Sequence, residues 1–378
     1  MRLIAVLLVA ATAAAQSTPR VQISHTTESL RGVSAVSREI AWASGTHGTY
    51  LRTTDAGLTW TPAQVPDASM VDFRGVVAFS SDEAFLMSAG AGDNSRIYHT
   101  GDAGRHWQLQ FTNTNPKGFF DSMVFWDRTH GVVLGDPIPD ESGNLKFEVL
   151  LTDDGQTWRP IPSSQLAPAL EGEGAFAASN TCIAILRSQS AESRDANIWF
   201  ATGGKAARLF HSPDGGKSWQ VFDTPILHGP DSAGIFSVAF RDALHGVIAG
   251  GDYKRANDDG PNLAFTEDGG KTWTLSTIHP QAYFSAVTYD SRVNEEAMRE
   301  QTIATKVESE GKKTRIKPIP RERIFLVGQD FIFDLRPPLN PQRVSAKKSL
   351  AMKFNAASPY PDGGALIVGP KGSIASIP

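Results

Sequence analysis

Five copies of one eight-residue pattern limit what this chain can fold into more than any other feature. They read TTDAGLTW (Thr53–Trp60), TGDAGRHW (Thr100–Trp107), LTDDGQTW (Leu151–Trp158), SPDGGKSW (Ser212–Trp219) and TEDGGKTW (Thr266–Trp273). The shared form is Ser/Thr-x-Asp-x-Gly-x-Thr-Trp. Its aspartates, Asp55, Asp102, Asp153, Asp214 and Asp268, are spaced 47, 51, 61 and 54 residues apart. One turn signature recurring at such a period denotes a repeat array, most simply a β-propeller. The carboxylate can accept backbone N–H groups and hold a hairpin, the glycine tolerates left-handed backbone, and the tryptophan can wedge between sheets. These aspartates are therefore read as structural. Leu151 stands where a hydroxyl belongs, so the third copy is expected to lose one contact.

The text between the copies divides into blades. Around the second copy, Val76–Phe79, Ala84–Ser88, Arg96–His99 and Trp107–Phe111 are short strands separated by polar turns. Phe284–Asp290 with Ile324–Leu335 gives three strands of a sixth unit, and Phe354–Tyr360, Ala365–Gly369 and Ser373–Ile377 three of a seventh. Val21–Thr26 can supply the missing outer strand, which removes the open edges of the array. The expectation is an all-β, seven-bladed β-propeller of four-stranded antiparallel blades, closed by the mature N-terminal strand. A charged insertion, about 292–323, interrupts blade six. It offers a short helix at Asn294–Val307, then a basic run of Lys312, Lys313, Arg315, Lys317, Arg321 and Arg323.

Residues 1–15 read as a secretory signal peptide: Arg2, the apolar run Leu3–Ala11, and Ala13-Ala14-Ala15 before Gln16. Residues 16–378 then form one exported domain, periplasmic or extracellular. The single cysteine, Cys182, lies in the apolar text CIAIL and is expected to be a buried small hydrophobe. A formal charge of −4 gives no nucleic-acid signal. The histidines show no metal-ligand spacing, and no cofactor motif stands in a binding context.

In four-stranded blades, the loops entering the inner strands share one face with the second-to-third loops, opposite the motif turns. Aligning the inner-strand starts LRGV, FRGV, FDSM, GEGAF, FSVAF, FSAV and FNAA brings Arg31, Arg74, Asp121, Glu173, Ser237, Ser285 and Asn355 to the channel mouth. Aligning the second-to-third loops adds His47, Asp136, Asp252, Asp330 and Lys371. The candidate binding set is Arg31, Arg74, Asp121, Asp136, Glu173, Asp252 and Tyr253, an acidic arc facing a basic pair. The competing expectation is that each carboxylate caps its own turn. Long polar loops such as EGEGAFAASN and GGDYKRANDD are where a rigid scaffold concentrates function.

The texts FFDSMVFWDRTHGVVLGD, IFSVAFRDALHGVIAGGD and FTEDGGKTW resemble the photosystem II stability/assembly factor family, within the neuraminidase-repeat (Asp-box) group. That resemblance implies non-catalytic scaffolding, a propeller that binds a protein partner, membrane-associated complexes included; the chain is expected to be a monomer. The rival reading is a glycoside hydrolase of sialidase-like propeller type, using either Tyr253 or Tyr283 as nucleophile with Glu173 as partner, or paired carboxylates drawn from Asp121, Asp136, Glu173 and Asp252. Against it, the Arg-Ile-Pro signature is missing, and Ser237, Ser285 and Asn355 stand where further arginines are wanted.

Overall fold

Strands rich in Val, Ile, Leu and Phe on both faces must be covered on both sides, and here each sheet is sandwiched between two others. The computed structural model describes residues 19–187, 196–277, 280–291, 323–336, 340–344 and 352–378. Seven antiparallel sheets follow one another around a ring. Blade one is Leu30–Ala35, Ala41–Gly45, Thr49–Thr53 and Thr61–Gln64. Blade two is Asp72–Ala78, Ala84–Ala89, Arg96–Thr100 and Gln108–Thr112. Blade three is Phe120–Phe125, Gly131–Pro139, Leu145–Thr152 and Arg159–Pro160. Blade four is Ile183–Arg187, Ala196–Ala201, Arg208–Ser212 and Gln220–Asp223. Blade five is Ala233–Phe240, Gly246–Asp252, Leu263–Thr266 and Thr274–Leu275. Blade six is Phe284–Tyr289, Ile324–Gly328, Ile332–Arg336 and Asn340–Val344.

Blade seven has Ala356–Pro359, Ala365–Gly369 and Ser373–Ile377 from the C-terminal end. Its outer strand is Arg20–Gln22, with Arg20 paired to Ser376. The ring therefore closes as expected, with a strand shorter than Val21–Thr26.

The core is divided rather than central. One apolar cluster fills each of the seven gaps between blades, for example Trp42, Tyr50, Phe73 and Tyr98 between blades one and two. Leu30, Leu51 and Trp60 meet Leu366 and Ile374 across the closing gap. This explains why second strands such as AFLMSA and IFLVG are buried throughout, while Thr61–Gln64 and Arg159–Pro160 are largely exposed.

Four motif turns share one geometry. The first residue's hydroxyl donates to the aspartate, and the residue before the tryptophan donates its backbone N–H to the same oxygen. In the first copy these are Thr53 Oγ1 and Thr59 N on Asp55 Oδ1, both 2.9 Å. Asp102, Asp214 and Asp268 repeat it. In the second copy His106 replaces Thr, and its Nδ1 lies 2.6 Å from Asp102 Oδ2. The His106 backbone N–H, then its ring, draw Asp102 down to about 2.

The third copy corrects the sequence register. Asp154, not Asp153, receives Thr152 Oγ1 at 3.1 Å and Thr157 N at 2.7 Å. The turn is one residue shorter, so Thr152 supplies the hydroxyl that Leu151 seemed to lack. It has one left-handed residue, Gly155, where the other turns have two. In the first two turns the extra left-handed position is held by alanine, Ala56 and Ala103, with φ of 59° and 67°. An L side chain is strained there. Ala56→Gly should raise stability by about 0.5–1 kcal/mol, measured as a higher midpoint in urea; a lower midpoint would refute the strain.

Most of the charged insertion, including Asn294–Val307 and the basic run up to Arg321, lies outside the described residues, as do residues 1–18. Arg323, the last residue of that run, is described. It is buried, donating to Asp290 at 3.0 Å and to both oxygens of Asp334 at 3.0 and 3.1 Å.

Candidate functional site

The inner strands of blades one, two, three, five and six each carry a bulge near their start. The extra residues are Arg31, Arg74, Asp121, Phe236 and Ser285. A bulge leaves one residue unpaired and re-aims its side chain. Four of these five positions agree with the sequence alignment. In blade five the bulged residue is Phe236; Ser237 pairs with Ala249.

Blade four departs further. Its inner strand is Ile183–Arg187, which pairs with Ala196–Ala201, and not GEGAF. Glu173 and Gly174 instead pair with Gly204 and Gly203 at the rim of blade five. Residues 175–181 enter the channel as an irregular segment before that inner strand. Arg31 Nη2 and Arg74 Nη1 both donate to the Ala177 carbonyl, at 3.4 and 3.1 Å. Asn180 Oδ1 accepts from Met123 N at 2.7 Å, and its amide donates to Met123 O at 2.9 Å. Ser179 Oγ donates to Ser285 O at 2.6 Å. Phe176 stacks on Phe236 at 3.8 Å, and Phe236 meets Tyr283 edge-on at 4.6 Å. Sequence patterning missed this plug, because GEGAF imitates the apolar start of an inner strand.

The structure gathers the expected residues only in part. Arg31, Arg74 and Asp121 converge on the plug. Asp136 lies within the second strand of blade three, which runs on to Pro139, and not in a loop; its Oδ1 accepts Ala175 N at 2.9 Å. Glu173 is buried under Arg208: Nε to Oε1 at 2.9 Å and Nη2 to Oε2 at 2.5 Å, with Thr202 Oγ1 and Leu170 N completing its shell. Nothing in the local sequence marked Arg208 as its partner. Asp252 caps the short 3-10 turn Tyr253–Arg255, accepting Lys254 N at 2.9 Å and Arg255 Nε at 3.0 Å. Tyr253 is exposed at the rim, edge-on to Phe236 at 6.1 Å.

The channel's electrostatics follow from burial. Desolvation, then the neighbouring Arg74 charge, pull Arg31 down to about 10. Desolvation, then the charge of Asp136, raise Asp121 well above the usual carboxylate range, outweighing Arg74. Burial also raises Asp136 and Tyr283. Cys182 is buried as expected, its thiol pushed up to about 12 by desolvation.

The sign of the Asp121 effect is testable. Its folded pKa exceeds its unfolded one, so its contribution is fullest below about pH 4 and is lost as pH rises towards the folded value. Asp121→Asn should flatten the decline in stability above pH 4, read from urea midpoints across pH 4–9. An unchanged slope would remove Asp121 as its source.

A separate groove of about 310 Å³ lies between the outer parts of blades three and four. Leu151, Pro160, Ile161 and Lys217 line it, and Asp153, released from its motif role, borders it. Among the described residues, no group of three or more His, Cys, Asp and Glu side chains could hold a metal ion. None of their helices is long and apolar enough to cross a membrane.

No protein-family model matches the chain, and no curated protein matches it in sequence. Solved structures do. YCF48 bound to D1 peptide aligns with a TM-score of 0.61 at 15% identity, covering 96% of both chains. The WD40 propeller domain of Doa1 gives 0.59 at 9%, covering 96% of this chain and 97% of that one. Virginiamycin B lyase from Staphylococcus aureus, in an inactive form with quinupristin, gives 0.59 at 11%, covering 96% and 99%. At such identities the likeness is one of fold, and a fold shared with both a peptide-bound protein and a lyase does not select a function. The chain is thus a seven-bladed propeller similar in fold to YCF48.

Proposed function

We propose that this chain is an exported, non-catalytic scaffold whose loop-rich face docks a protein partner. The observation that carries this reading is the plugged channel. The concavity in which a propeller would seat a small substrate is filled by residues 175–181, held by Arg31, Arg74 and Ser285. What the face offers instead is a broad rim of loops with Tyr253, Leu170 and Met70 exposed. The peptide-bound state of YCF48 supports the same kind of use.

The hydrolase alternative loses two of its four carboxylates to internal work. Glu173 is spent on Arg208 and Thr202, and Asp252 on Lys254 and Arg255. Arg31, Arg74 and Tyr253 are the side chains proposed to meet the partner; Asp121, Asp136, Glu173 and Asp252 hold the surface that presents them. Export rests on residues 1–15 and predicts a secreted product whose N-terminal residue is Gln16.

Affinity capture with residues 16–378 tests the scaffold reading. A specific protein should be retained by the wild type, released by Tyr253→Glu, and unaffected by Asp268→Asn on the opposite face. Turnover of a fluorogenic glycoside, abolished by Asp136→Asn, would overturn it in favour of hydrolysis.

A further inference from the structure

The plug is held as a ligand is held. Most of its contacts use main-chain groups or small polar side chains, and they come from five other blades. Arg31 and Arg74 take the Ala177 carbonyl, Met123 takes the Asn180 amide, Ser237 Oγ meets Thr181 Oγ1 at 2.7 Å, and Ser285 accepts from Ser179. One side chain is read by shape. The Phe176 ring lies on Phe236 with planes 12° apart, in a slot whose other walls are Gly203 and Gly234. A Cβ added at either glycine would come within 2.2 or 2.9 Å of the ring, so the slot exists only because both are glycine. Burial alternates along the plug, with Ala175, Ala177 and Ser179 buried and Phe176, Ala178 and Asn180 half-buried, while the backbone turns: Ala178 N–H donates to the Phe176 carbonyl at 2.8 Å, and Asn180 is left-handed with φ of 64°.

The walls are not saturated by this occupant. Arg31 Nε, Arg74 Nε and Asp121 Oδ2 are buried without a hydrogen-bond partner. Such groups are costly to leave unmade, and a better-matched segment would gain from satisfying them.

We propose that the channel is a peptide site occupied in cis by residues 175–181, and that a partner segment carrying an aromatic side chain followed by two small residues, and able to follow the same turned path, takes the same slot when the resident segment leaves. This deepens the scaffold reading and rests on it only for the source of the segment. The resident plug lowers apparent affinity by the fraction of molecules in which it is seated. Loosening it should therefore strengthen binding in trans.

The chain carries its own reporter. Cys182, its only cysteine, directly follows the plug and is buried with Sγ 3.2 Å from Ser122 Oγ. Its alkylation rate measures departure of the plug. The test uses residues 16–378 as wild type, Phe176→Ala and Ser179→Ala, with a fluorescent peptide of sequence GAFAASN and a GAAAASN control. Both variants should bind GAFAASN at least tenfold more tightly than wild type and show no such gain for the control. Cys182 should react at least tenfold faster in both, with a weaker denaturant dependence than global unfolding. Ser179→Ala removes a single hydroxyl and keeps the test available if Phe176→Ala does not fold. Unchanged peptide affinity, or Cys182 reacting only through global unfolding, overturns the proposal. A captured protein that binds wild type and variants alike, without a peptide gain, leaves the scaffold reading standing and this one refuted. A peptide gain with no captured protein does the reverse.

Discussion

Replacing Glu173 by alanine should cost the folded state about 3–5 kcal/mol, because it leaves the buried Arg208 guanidinium without its countercharge. The pair is a two-point fork, 2.9 and 2.5 Å, with Arg208 9% exposed. Thr202 Oγ1, 2.6 Å from Glu173 Oε1, would lose its acceptor as well. The loss would appear as a lower urea midpoint with an unchanged slope. The experiment also separates the two roles the sequence allowed for this residue. If Glu173 only positions the rim, the folded fraction of the variant keeps its affinity for the captured partner. Loss of binding without loss of stability would make it a contact residue. Arg208→Leu with Glu173→Leu should recover much of the stability, since replacing both members of a buried pair by apolar groups is far cheaper than removing one.

Deleting residues 19–24 should be of similar size, on the order of 4 kcal/mol. It removes a three-residue strand, at about 1 kcal/mol for each backbone bond, and orphans the Trp60 indole at about 1–3 kcal/mol. Gln22 Oε1 accepts from Trp60 Nε1 at 2.8 Å, and that indole is buried. The milder Gln22→Ala should show the indole's share alone. Thermal melts of the two proteins would give the ordering; a deletion no worse than Gln22→Ala would mean that blade seven does not need its fourth strand.

Much of this molecule was legible in its sequence, and the errors have physical causes. The motif period and the strand–turn rhythm depend on local chemistry, so seven blades and the borrowed strand could be read directly. Blade four's inner strand could not. GEGAF ends in Ala-Phe and precedes a polar stretch as the other inner-strand starts do, while CIAIL, apolar throughout, is too short for periodicity to mark it as an inner strand. The choice is made by pairing of Ile183–Arg187 with Ala196–Ala201. The register of the third motif was recoverable: LTDDGQTW contains Thr152 two places before Asp154, a hydroxyl–carboxylate pair that Leu151 and Asp153 lack. At the channel, the bulged positions of Arg31, Arg74 and Asp121 were found by alignment. That all three would face the chain's own Ala177 depends on contacts more than a hundred residues apart for the arginines, which no local pattern encodes.

The joint at the closing strand has a consequence for how this chain could be cut. Gln22 binds Trp60 Nε1 and the Ala56 carbonyl of the next blade. Gln110 binds Trp158 Nε1 and the Gly155 carbonyl in the same way, between blades two and three. The boundary that joins the two ends of the sequence is thus made from the same parts as one the chain runs through unbroken. With Arg20 lying beside Ser376, a circular permutant that links them and opens instead at the exposed turn near Gly143 should assemble the same ring. Its order of synthesis would differ, and its architecture would not.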